Sequence, residues 1–122
     1  MNEESLKWLY DALDAARWVA RFAEGKSFEQ YCADELLCAA IERKFEIIGE
    51  ALTRVRNRFP EDLEGVGDWT AIIGFRNVLA HGYDHVDEAV VWGIVINQIP
   101  TLISELSSID GIEGEQGGGA EP

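Results

Sequence analysis

Apolar residues recur every three or four positions along most of this chain, the period of an α-helix with one face turned to a core. Leu6, Leu9, Leu13, Ala16 and Ala20 set the first stripe, and Trp8, Ala12, Val19 and Phe22 widen it. This predicts a helix over residues 3–23, stopped near Gly25. Ser27 is placed to cap a short turn through Tyr31, and Asp34 to cap the next helix. The longest stripe covers residues 34–59: Leu37, Ile41, Phe45, Ile48, Leu52, Val55 and Phe59, with Leu36, Ala40, Ile47 and Ala51 as a second row. Two rows predict a central helix. Gly49 inside it marks a close approach of another backbone, and Pro60 ends it.

A polar connection, "EDLEGVGD", comes next. Asp68 is placed to cap a helix from Trp69 to about Leu79 or Ala80, with Gly82 as its left-handed stop. Asp87, between Val86 and Val91, is expected to cap a last helix reaching about Leu106 and kinked at Pro100. No stretch sustains the alternation of a strand. The expected fold is all-α, a four-to-five-helix up-and-down bundle over residues 1–107, followed by a disordered, acidic, Gly-rich tail over 108–122.

Composition changes this picture little. A chain of 122 residues with 47% hydrophobic content can bury one real core. The start "MNEESLKWL" does not have the basic-then-apolar pattern of a signal peptide. The uncharged run at residues 89–104 is short for a membrane span and holds Asn97, Gln98 and Pro100, so no membrane is expected. Cys32 and Cys38 have neither a CxxC nor a zinc spacing. Two buried, reduced thiols on different helix sides and a cytoplasmic location are the expectation.

Charge matters more. A formal net charge of −13 argues against broad affinity for nucleic acid. Arg54, Arg56 and Arg58 cluster at the end of the long helix, where a helix C-terminus favours cations. A phosphate-facing stripe is the other reading of them.

Both histidines of the chain fall in "IIGFRNVLAHGYDH". Arg76 and His81 are five residues apart, about 140° on an ideal helix. A stop at Ala80 and a turn at Gly82 would let His81 swing toward Arg76, with Tyr83 beyond. Such a group suits RNA cleavage without a metal. That reaction needs a base for the 2′-hydroxyl, an acid for the 5′-oxygen and a cation for the charged phosphorane. Histidine titrates near neutral pH, and arginine matches phosphate with two parallel donors. One chain offers a single pair, so this route calls for a symmetric homodimer with the site at the two-fold axis. The plainer reading makes Arg76 and His81 a helix cap and a salt-bridge partner, Tyr83 a packing residue and His85 an exposed loop residue. A metal site from His81, Asp84, His85 and Asp87 lacks a dedicated ligand set, and no cofactor is implied.

"FRNVLAHGY" resembles the R-x4-H-x-Y signature of the HEPN superfamily, specifically the HepT-like toxins paired with MntA-like minimal nucleotidyltransferases. "DELLCAAIERKFEIIGEAL", "DWTAIIGFRNVLAHGY" and "VVWGIVINQIPTLISEL" resemble that family's second, third and last helices, so the likeness covers most of residues 3–107. The resemblance implies a dimeric helical bundle and a metal-independent endoribonuclease site. Arg76 and His81 are then the catalytic pair and Asn77 a supporting residue. Tyr83 is the acceptor of AMP from a cognate MntA-like antitoxin. RNA is the implied substrate, and assembly beyond the dimer is left open. The alternative within the wider group is a non-catalytic subunit that binds nucleotide or substrate for a two-component nucleotidyltransferase. The acidic tail is no part of the family pattern.

Overall fold

The computed structural model describes residues 1–80 and 87–115, and of residues 76–80 the backbone alone. The described residues form six α-helices and two short 3-10 turns, with no strand. The fold class is all-α, as the periodicity predicts. Helix α1 spans Glu3–Ala23, α2 Phe28–Ala33, α3 Glu35–Arg58, α4 Trp69–Ala80, α5 Glu88–Asn97 and α6 Ile99–Ser107. Taking α5 and α6 as one interrupted helix leaves five.

The caps follow from local chemistry. Asn2 accepts from the Glu4 amide at 2.8 Å and opens α1. Gly25 takes φ +75°, a left-handed turn open to glycine at no steric cost. Ser27 and Gln30 then satisfy each other's backbone amides in a capping box. Asp34 caps α3 by accepting from the Leu37 amide at 3.0 Å, and Asp87 caps α5 by accepting from Ala89 at 2.9 Å.

The predicted stripes form the core. Leu9, Leu13, Ala16 and Val19 of α1 are buried against Ile41, Phe45, Ile48, Leu52 and Val55 of α3. Alanines at 12, 15 and 16 keep the two helices close, and α3 is the main partner of α1. The pair is antiparallel: Glu4 reaches Arg58 at one end, and Trp18 meets Lys44 further along. Helix α4 packs on α3 by Ile72, Ile73 and Phe75, and the Phe75 ring sits edge-on to Phe45 at 5.4 Å. Ala20, expected in the first stripe, is exposed.

Three expectations change. The polar connection after Pro60 is tacked down, because Leu63 and Val66 in it are buried. The helix expected to kink at Pro100 is interrupted two residues earlier, at Gln98, whose backbone stays right-handed helical. Pro100 opens α6, a position where its missing amide costs nothing. The run Glu88–Ser107 is long and apolar enough to cross a membrane by composition, but it is interrupted there, and Val91, Val95, Leu102 and Leu106 turn to the bundle.

The third correction concerns the tail. Disorder is the expectation from residue 108 on, yet residues 108–115 are packed. Gly111 turns the chain at φ +85°, Ile112 is fully buried, and Ile109 lies against the core. Arg17 grips the Glu113 carboxylate with both terminal nitrogens, at 2.7 and 3.2 Å. The cause is two isoleucines three residues apart, which bury enough apolar surface to hold a polar segment down. Ile112→Ala is expected to cost roughly 2–5 kcal/mol of stability by urea denaturation. A loose tail would show no change. Residues 116–122 of the expected tail lie outside the described residues.

Candidate active site

Helix α4 carries the residues singled out by motif. Its backbone is helical through Arg76 and Asn77 to Ala80, and the stop expected at Gly82 lies outside the described residues. The side chains of Arg76 and Asn77, and all of His81, Gly82, Tyr83, Asp84, His85 and Val86, lie outside the described residues. What the structure gives is the ground on which α4 stands.

That ground has two sides. Inward, Ile72, Ile73 and Phe75 fix α4 on α3. Outward, α4 and α5 leave an open groove of about 640 Å³. Small residues make it: Ala71 and Gly74 on α4, Ala89 and Gly93 on α5, with Val90 and Ile94 as apolar walls. A side chain added at Gly74 or Gly93 would meet open space. Helix α5 is apolar on every face, a pattern that belongs to buried helices. Yet Val90 is half exposed and Ile96 more so. One apolar face beside the motif helix therefore has no cover among the described residues.

Most of the arginines elsewhere are committed. Arg54 is held by Glu50 at 2.8 Å, Arg58 reaches Glu4 at 3.6 Å, and Arg56 donates to Asn57. Arg56 and Arg58 occupy the last turn of α3. The structure thus favours local pairing and the helix terminus over a phosphate-facing stripe.

The cysteines sit differently from expectation. They belong to separate helices, α2 and the first turn of α3, and are half-buried rather than buried. Cys38 donates to the Tyr31 carbonyl at 3.2 Å, and the Glu88 carboxylate lies 4.0 Å from its sulfur. Burial, then Glu88, pushes the Cys32 thiol up; burial does the same at Cys38. Both are poor nucleophiles at neutral pH. Tyr31, stacked on Trp92 at 5.1 Å, is likewise pushed up by burial. Sequence reasoning missed this cluster because Glu88 joins it from fifty residues away. Among the described residues no group of three or more His, Cys, Asp or Glu could hold a metal ion.

Glu42, half-buried on α3, is held above the usual carboxylate range by burial, and further by Glu46 and Glu88. Its folded form keeps a proton that the unfolded form has lost, so stability falls as pH rises through the window above the ordinary value of 4.5. Glu42→Gln is expected to raise the melting temperature at neutral pH. The gain should fade as the pH falls below 4.5, where the wild-type carboxyl is protonated folded or unfolded. A series of thermal melts across that range checks it.

A family model described as "Ribonuclease HepT-like" matches residues 12–109, most of the chain. The chain belongs to the HepT-like ribonuclease family. The matched span takes in α4, the motif and both halves of the interrupted last helix. A protein of Methanocaldococcus jannaschii described as a candidate RNase is 31% identical over 110 residues, 89% of this chain and 100% of its own length. A Caldanaerobacter subterraneus protein, also described as a candidate RNase, is 31% identical over 84% of this chain and 90% of its own. A Thermococcus cleftensis protein described as a probable ribonuclease HepT is 31% identical over 84% of this chain and 92% of its own. No solved structure matches significantly. Ribonuclease activity is the enzyme class of this HepT-like family.

Proposed function

We propose that this HepT-like protein is an endoribonuclease toxin that cuts RNA without a metal ion, at a cleft built by two copies of the chain. Arg76 of each copy holds the scissile phosphate. One His81 takes the proton of the 2′-hydroxyl as its oxygen attacks phosphorus. The other gives a proton to the 5′-oxygen as the P–O5′ bond breaks. Asn77 supports the arginine. A cognate MntA-like nucleotidyltransferase acts as antitoxin in the cytoplasm: the Tyr83 oxygen, losing its proton, attacks the α-phosphorus of ATP, takes up AMP and releases pyrophosphate. The added bulk and negative charge would then exclude RNA from the arginines.

The observation that carries this reading is the complete Arg76, His81, Tyr83 set inside a chain of this family. The groove between α4 and α5, uncovered among the described residues, supports the dimer, because a second copy seated there brings two α4 backbones together. The test is incubation of the purified protein with RNA in a chelator. Cleavage is expected, and it should stop after treatment with the nucleotidyltransferase and ATP, except in Tyr83→Phe. Intact RNA in the first arm defeats the reading.

The net charge of −13 favours a second reading, a non-catalytic nucleotide-binding subunit of a two-component nucleotidyltransferase. It would bind its partner or a nucleotide, cause no growth arrest when expressed alone, and leave RNA whole.

A further inference from the structure

An acidic protein that handles RNA needs local places where positive charge is left free. Arg17, Arg43, Arg54 and Arg58 are not such places, since each is held by a carboxylate. Arg21 and Lys44 are different. Neither makes an ion pair among the described residues, and both stand over the same indole. The Arg21 guanidinium carbon is 4.7 Å from the Trp18 ring centre, and the Lys44 nitrogen is 5.7 Å from it. Trp18 is 37% exposed, and Phe22 supports its ring from the side at 5.6 Å.

The indole is what the two cations share. Its electron-rich ring attracts each of them. The cations come from different helices, α1 and α3, which makes their pairing a product of the fold rather than of one charged run. The place is also informative. Trp18 meets Lys44 across the α1–α3 seam, while the next residue on α3, Phe45, meets Phe75 across the α3–α4 seam. Phe75 directly precedes Arg76. The three helices therefore bring the indole and the backbone of the motif arginine to one level of the bundle, with α3 between them.

We propose that Trp18, Arg21 and Lys44 form a clamp for the phosphodiester backbone of single-stranded RNA, away from the cutting site. This deepens the ribonuclease reading and rests on it. The chemistry fits a flexible strand better than a duplex. Arg21 and Lys44 meet phosphate oxygens, and the exposed part of the indole offers a surface on which a base can stack whatever its identity. The clamp also gives a strongly negative protein a way to hold an anionic polymer through a few free cations.

The test is binding of a labelled single strand of about 20 nucleotides, made with 2′-O-methyl sugars so that cleavage cannot consume it. Arg21→Gln with Lys44→Gln is expected to weaken binding about tenfold at low salt. Loss of two phosphate contacts should also flatten the plot of log affinity against log salt by about 1.4. Trp18→Ala should weaken binding with a smaller change in slope, while Trp18→Phe and the charge-keeping Arg21→Lys with Lys44→Arg should bind nearly as the wild type. Unchanged affinity and slope in the double glutamine variant overturn the clamp, as does equal loss in the charge-keeping variant, which would mark a folding effect. A wild type that does not bind the strand overturns it too. Binding by a wild type that leaves ordinary RNA whole would instead defeat the nuclease reading and leave the clamp standing.

Discussion

His81→Ala is expected to lower the rate of metal-free RNA cleavage roughly 10²–10⁴-fold, the usual worth of a positioned acid or base. Arg76→Ala is expected to be as severe, because an unpaired phosphorane charge in a cleft has no other partner of its strength. The two should differ in detail. A wild-type profile shaped like a bell around neutral pH reports two imidazoles in opposite protonation states. Arg76→Lys keeps the charge but loses the two-pronged grip, so it should retain a small part of the rate and the same bell. His81→Ala should remove the bell along with the activity. Cleavage assays across pH, beside helical content and mass in solution, check all of this. Undiminished cleavage in both alanine variants, with the fold intact, removes the proposed site.

Much of the fold was legible because helices announce themselves locally. The stripe from Leu37 to Val55 is the buried face of α3, and Asp34, Asp87 and Ser27 cap the helices they precede. What stayed hidden depends on partners far along the chain. Ile112 looks stranded among Gly and Glu until α1 is there to receive it, and Glu113 has no purpose until Arg17 faces it. Glu88 reads as a first-turn acid and proves to be a neighbour of Cys32 and Cys38. Arg21 and Lys44 look like scattered surface charge until the register of α1 on α3 sets both over Trp18. The candidate site is the reverse case. Arg76, Asn77, His81 and Tyr83 were legible through motif and family, while their side chains lie outside the described residues. For them the structure contributes the helix that carries the motif and a groove next to it that no described residue covers.

That groove makes the second large effect testable. Gly74→Leu and Gly93→Leu are expected to turn a dimer into a monomer and to abolish RNA cleavage with it. Neither change should harm the monomer. The added side chains point into open space, and a helix interior gains about 1 kcal/mol when glycine is replaced by a good helix former. The melting temperature of the dissociated protein should therefore hold against that of wild-type protein diluted to monomer. This separates a surface effect from misfolding, which would lower it. The reason to expect lost activity is stoichiometric. One chain carries a single R-x4-H pair, while the reaction needs a base and an acid at once. Light scattering and cleavage measured on the same sample decide the matter. A fully active monomer would show that one copy suffices and end the composite cleft. A leucine variant that remains an active dimer would move the contact to another face of the molecule.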